Sequence, residues 1–324
     1  RREREREREM QHPSAADVVE RLGFGLAQWR VLLLGSSIWL VDGIFLSLTS
    51  ALASSIAKDF GVGPYERALL PSLEIVGVAL GSFAGGYVGD HVGRKPPIVA
   101  TYLSVGFLSA GLGLAWSFWQ VLIGVMVIGF SMGLAMPCSL VMQSELSPSK
   151  WRMVSMTVRL VLGTIGSMLA SGLLVVQDPA MLAINWRWCY GACTPLGIAM
   201  GAAAAALLPE SPVFLASVGE HRLAKQGFES MARLNGVDAA DADVATEAPE
   251  VQRGPKGRRA ASLPVVLQVQ VILGPGVLTY TLAATLACFA YNLLAYGHNY
   301  AEPQVLVVDT ARRLPPAWQL FLES

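Results

Sequence analysis

Long stretches nearly free of charge, divided by short charged connectors, limit what this chain can fold into more than any other feature. Charged residues are 15% of the 324 and hydrophobic residues 53%, with mean hydropathy +0.48, whereas a soluble domain carries about 25% charged residues. Apolar runs of about 20 residues can cross a bilayer as helices, and in lipid a helix is the open-chain form that satisfies its own backbone polar groups. Seven spans are read at residues 31–53, 69–89, 97–116, 121–145, 155–176, 188–208 and 277–300. The first holds Asp42 among about eleven Leu, Ile, Val and Phe residues. At about −0.3 to −0.6 kcal/mol each, these outweigh one central Asp at about +2.5 to +3.5, so the span can insert.

Lysine and arginine set the expected orientation. With the N-terminus in the cytoplasm, the inner connectors hold Arg94, Lys95, Lys150, Arg152 and the basic residues between Arg222 and Arg259, against Lys58, Arg67, Arg187, Arg312 and Arg313 outside; the bias favours N-terminus in. Net charge is zero, which gives no reason to expect a nucleic-acid partner. Cys138, Cys189, Cys193 and Cys288 all fall in apolar spans and read as packing residues rather than a disulfide framework. The histidines are scattered, so neither a metal nor a cofactor is expected, and no catalytic residue. No phosphate loop of the G-x-x-x-x-G-K-S/T kind occurs, so any drive would come from an ion or solute gradient.

Gly77, Gly81 and Gly85 repeat on one helix face, a pattern that lets helix backbones approach closely in lipid. After the sixth span, residues 218–234 read as an imperfect amphipathic helix ended by Asn235-Gly236, and 237–262 as a flexible linker. In the seventh span, Thr281, Thr285, Cys288, Asn292, Tyr296 and Asn299 form one polar stripe. Asn292, Tyr296 and Asn299 are candidate solute contacts, with interhelical hydrogen bonding as the structural alternative.

Four motifs stand at helix ends. Residues 86–95 read G-Y-V-G-D-H-V-G-R-K. Residues 145–152 read E-L-S-P-S-K-W-R. Trp186-Arg187-Trp188 opens the sixth span, and Pro209-Glu210-Ser211-Pro212 closes it. The first resembles the G-x-x-x-D-R-x-G-R-R loop of the major facilitator superfamily, with His91 where Arg or Lys is usual. The second and fourth are similar to the E-x-x-P-x-x-x-R and P-E-S-P of its sugar-porter, organic-ion and synaptic-vesicle-type branch. The resemblance covers roughly residues 23–300. It implies an all-α membrane protein: a six-helix N-terminal half at residues 29–212, a cytoplasmic loop at 213–262, and span seven with the start of span eight at 263–324, after a charged, disordered N-terminus at 1–28. It also implies about twelve spans in two halves, so the chain reads as a fragment whose C-terminal half-bundle is missing.

The resemblance further implies a secondary transporter that moves a small organic solute by alternating access, in a lipid bilayer, with protons as a candidate coupling ion. It implies a cytoplasmic gate network of Asp90, Gly93, Arg94, Lys95, Glu145, Arg152 and Glu210. Asp90 either pairs with an arginine or caps the next helix. An arginine that many members carry in span four is absent, Val125 standing in its place. Within the spans, Asp42, Trp39 and Glu74 are candidates for substrate or coupling, since an intramembrane ionisable residue is a functional hypothesis by default. Asp42-Gly43-Ile44-Phe45 resembles the D-G-F-D of aromatic-acid/proton symporters, with Phe45 replacing the second Asp. Arg159 is expected to neutralise Glu145 or Glu210, or to meet an anionic substrate. The rival readings are a seven-span receptor, a membrane enzyme and a non-transporting sensor.

Overall fold

The computed structural model describes residues 15–178 and 184–237, with isolated positions between 274 and 290. Nine α-helices are defined there. They are α1 (Ala15–Leu22), α2 (Leu26–Phe60), α3 (Pro64–Val92), α4 (Lys95–Gly113), α5 (Phe118–Leu146), α6 (Arg152–Gln177), α7 (Trp186–Leu207), α8 (Pro212–Ser217) and α9 (His221–Asn235). No strand occurs among the described residues. Helices α2 to α7 are each long and apolar enough to cross a membrane. They correspond to the first six expected spans; the seventh lies outside the described residues.

The packing has a two-fold pattern. Helices α2, α3 and α4 form one triplet and α5, α6 and α7 a second. The first helix of each packs chiefly on the second of the other, α2 on α6 and α5 on α3, while the two third helices, α4 and α7, pack together. Glycines set all three seams. A Cβ on Gly81 of α3 would lie 2.0 Å from the Phe130 carbonyl oxygen of α5, and one on Gly133 would lie 2.1 Å from Val78 O. On the α2–α6 seam, a Cβ on Gly166 would lie 2.1 Å from Leu40 O. On the α4–α7 seam, Gly197 faces Gly106, its added Cβ 2.6 Å from the Gly106 Cα. Apolar helices gain little from one another in lipid, so close backbone contact supplies the association.

Polar ties between helices are buried inside the bundle. Thr101 Oγ1 donates to Ser131 O at 2.7 Å, Ser139 Oγ to Gly35 O at 2.7 Å, and Tyr102 Oη to Leu34 O at 2.6 Å. Large apolar side chains such as Phe83 and Leu160 instead face outward, as a lipid-facing surface requires.

The helices after α7 return to the end of the bundle where α2 begins. Helix α9 ends at Gly236 in the left-handed conformation (φ 70°), the C-cap expected of Asn-Gly. Its last residue, Asn235, accepts the Ala27 N–H at 3.0 Å and donates to Leu22 O and to Gln28 Oε1. Gly25 at the α2 N-cap has no side chain, so Asn235 supplies the capping oxygen from a distant part of the chain.

Candidate functional site: a charged helix-end network and an intramembrane polar cluster

At the end of the bundle where α3, α5 and α7 finish, Arg94 is the centre of a network. It sits between α3 and α4, where Gly93 takes a positive φ of 116° that a residue with a Cβ rarely adopts. Its guanidinium pairs with Asp90 Oδ1 at 3.0 Å and Glu145 Oε1 at 3.3 Å, bonds to Gly89 O, and lies 4.8 Å from the Phe214 ring centroid. The Arg94 side chain is 10% exposed and that of Glu145 17%, against 50% for Asp90. The Arg94–Glu145 pair is therefore well shielded from solvent, and the half-exposed Asp90 contact is worth about 0 to 1 kcal/mol. The other Glu145 oxygen accepts Ser211 Oγ–H at 2.5 Å.

Glu210 has a different role. Its carboxylate accepts the backbone N–H of Arg94 at 2.9 Å and of Lys95 at 3.2 Å, so it caps the start of α4. Space for that carboxylate depends on Gly93, where an added Cβ would meet Glu210 Oε2 at 2.5 Å. Of the two roles open to Asp90, the structure has the arginine pair, and Glu210 makes the cap. Lys95 joins through its backbone amide. Arg152 is exposed and pairs with none of these carboxylates, and His91 stacks on Tyr87 away from the network. Phe214 escaped the sequence reading, and Ser211 entered it only as part of the Pro209–Pro212 motif; Ser before Pro212 is an N-cap pattern, and Ser211 Oγ accepts Phe214 N–H at 3.2 Å.

Inside the bundle, Glu74 of α3 is 4% exposed and its Oε2 has no hydrogen-bond partner. It lies within reach of the Thr49 hydroxyl and in the field of the half-buried Asp42 carboxylate, both on α2. Thr49 Oγ1 lies 3.2 Å from Tyr190 Oη of α7, and the Tyr190 ring stacks on Phe45. Tyr190 is brought to Phe45 and Thr49 of α2 by the tertiary fold.

Trp39 carries a third group. The Arg159 guanidinium of α6 lies 5.0 Å from its ring centroid, and Arg159 Nε is buried without a hydrogen-bond partner. Arg159 pairs with neither Glu145 nor Glu210, because those carboxylates are taken by Arg94, Ser211 and backbone amides. Asn292, Tyr296 and Asn299 lie outside the described residues, as does the rest of the seventh-span stripe. No group of three or more His, Cys, Asp or Glu suited to a metal occurs among the described residues.

A paired six-helix bundle with glycine seams, a charged helix-end network and ionisable side chains inside its spans defines a polytopic membrane protein. A family model described as "Sugar (and other) transporter" matches residues 27–296, and the chain belongs to that family, within the major facilitator superfamily. The proton:xylose symporter XylE, solved with 6-bromo-6-deoxy-D-glucose, has the same fold. It superposes with TM-score 0.58 at 17% identity, over 66% of this chain and 50% of that one.

Among relatives, the synaptic vesicle 2-related protein of Bos taurus is 31% identical over 175 residues, 53% of this chain and 31% of that protein. The cis,cis-muconate transport protein of Acinetobacter baylyi is 33% identical over 171 residues, 52% and 38%. The gallate transporter of Pseudomonas putida is 26% identical over 246 residues, 76% and 54%. The matched segments thus span from about a third to about half of the relatives' length.

Proposed function

We propose that this chain belongs to a secondary transporter that carries a small organic solute across a membrane by alternating access, with protons as the coupling ion. The observation that carries the reading is the pair Asp42 and Glu74. Two carboxylates, one of them fully enclosed with an unpartnered oxygen, stand close enough to feel each other's charge inside spanning helices. Carboxylates held inside membrane spans are rare and mark ion pathways and proton relays, which supports protons as the counterpart to solute movement. Relatives named for muconate and gallate, and a structural neighbour named as a proton:xylose symporter, support an organic solute and leave its class open.

Asp90, Arg94, Glu145 and Glu210 act in this reading as one side of a gate on the cytoplasmic face, with the N-terminus on the same face. The lysine and arginine bias supports that orientation. Gate opening separates groups that now bridge α3, α5 and the segment after α7. Within such folds the solute passes between two half-bundles that rock about a central site.

Proteoliposomes holding the protein test the coupling. An imposed pH gradient is expected to drive uptake of the transported solute. Asp42→Asn and Glu74→Gln are expected to abolish gradient-driven accumulation while solute exchange continues. Uptake indifferent to the gradient, or both variants accumulating solute as the native protein does, would rule the coupling out.

A further inference from the structure

We propose that the groove between α5 and α6 is an anion subsite and that the solute it takes is an organic carboxylate. The inference rests on the transporter reading and names its substrate class. The groove has a volume of about 270 Å³, just under the about 300 to 1,000 Å³ of sites for drug-sized ligands, which suits a small solute. Two arginines, Arg152 and Arg159, are among its lining residues, none of which is acidic. Gln143, Ser144 and Ser155 add polar atoms to its walls, and Met156 an apolar one.

The two cations differ. Arg152 is exposed, and Glu20, held by Ser149, lies within its electrostatic reach. Arg159 is set seven residues further into α6. Its guanidinium faces Trp39 and has no hydrogen bond or ion pair among the described residues. Stacking of a guanidinium on an indole leaves the edge donors free, and that edge matches a carboxylate in a two-point contact.

The carboxylates of the helix-end network, and Glu20, are already engaged. Asp90 and Glu145 hold Arg94, Glu210 caps α4, and Glu20 accepts from Ser149. None of these carboxylates pairs with Arg159, which has no ion pair among the described residues. An oxyanion supplies that pair, and the Trp39 ring beside it favours one carried on an apolar body over a free ion. Gln143 is oriented rather than loose. Its Nε2 donates to Ser139 Oγ at 2.9 Å and its Oε1 accepts from Ser36 at 3.4 Å, which fixes its side chain in the groove lining.

The test is binding rather than transport. The protein, in phosphatidylcholine nanodiscs, is titrated calorimetrically with benzoate and with benzamide, a neutral molecule of the same shape. Benzoate is expected to bind about 10- to 100-fold more tightly, the discrimination given by a charge-assisted contact. Arg159→Gln is expected to bring the two ligands to parity, and Arg159→Lys to keep part of the preference, each with an unchanged melting profile. Absence of benzoate binding, equal affinities in the native protein, or undiminished benzoate binding by Arg159→Gln overturns the proposal. The native comparison needs no variant, so it decides even if Arg159→Gln fails to fold. In nanodiscs with added phosphatidylglycerol the benzoate affinity is expected to hold. Loss of benzoate binding there would assign the groove to a lipid phosphate and overturn the solute assignment. Accumulation of a neutral solute without carboxylate preference would remove this inference and leave the transporter reading standing. Carboxylate preference without proton-driven uptake would do the reverse.

Discussion

Glu210 reaches across from the segment after α7 to accept the backbone N–H groups of both Arg94 and Lys95, at 2.9 Å and 3.2 Å. The start of α4 is thus capped by a residue more than a hundred positions away, and the loop between α3 and α4 is tied to the segment that leaves the bundle. Glu210→Ala removes the acceptor and is expected to cost about 1 to 2 kcal/mol, while Glu210→Gln keeps an acceptor oxygen and costs less. Thermal unfolding in detergent should order the melting temperatures native, Gln, Ala. Equal melting of all three would show that the cap adds nothing.

Arg94 and Asp90 should separate stability from gating. Arg94→Ala leaves the shielded Glu145 without its cation and is expected to cost about 3 to 5 kcal/mol. Asp90→Ala removes a half-exposed partner and costs less than about 1 kcal/mol. If the network is a gate, Asp90→Ala nevertheless slows transport. A folded Asp90→Ala protein that cycles at the native rate argues against the gate.

Gly81 and Gly86 lie five residues apart on α3 and should respond to alanine in opposite directions. A Cβ on Gly81 would fall 2.0 Å from Phe130 O, while one on Gly86 meets nothing within 4 Å. Gly81→Ala must push α3 from α5 and is expected to cost about 1 to 3 kcal/mol. Gly86→Ala should be neutral or stabilise by up to about 1 kcal/mol, the helix-interior difference between Gly and Ala. Melting temperatures of the two variants check this; a destabilised Gly86→Ala would place an unseen contact on that face.

Acid should release α1 from the α5–α6 connector. Hydrogen bonds from the Ser149 hydroxyl and N–H hold the Glu20 carboxyl below its ordinary value of 4.5. A lowered folded value means the contact is fully present above about pH 4.5 and is lost as pH falls through the lowered value. Hydrogen exchange of the Ser149 amide, corrected for its intrinsic pH dependence, should show protection that falls in that acid range. Glu20→Gln should remove the pH dependence; a variant that keeps it would place the titrating group elsewhere.

Asn235→Ala should loosen the start of α2. It removes the oxygen that accepts Ala27 N–H and the amide that donates to Leu22 O and Gln28 Oε1. The expected cost is about 1 kcal/mol, read as a lower melting temperature and faster exchange at Ala27. Native behaviour on both counts would leave α9 without this role.

Much of the fold was legible because lipid makes composition decisive. The apolar runs named six helices that the structure contains, and Gly77, Gly81 and Gly85 named a packed face of α3. Their partners on α5, and the matching seams at Gly43 and Gly166 and at Gly106 and Gly197, were not legible. A lone small residue in an apolar run shows no partner until two helices are set side by side. The helix-end motifs named Arg94, Glu145 and Glu210 but not their division of labour. Which carboxylate pairs and which caps depends on where the segment after α7 lands.

The sequence by itself determined the existence and approximate positions of the six described spans, because a charge-free run of about 20 residues has few stable alternatives in a bilayer. It also determined the family, through motifs at successive helix ends. Only the tertiary structure decided that Glu74 is enclosed near Asp42, that Tyr190 joins Thr49, and that Arg159 rests on Trp39 rather than on Glu145. Those pairings join positions far apart in the chain. They are set by which helices the glycine seams bring together, a property of three-dimensional packing that local pattern does not carry.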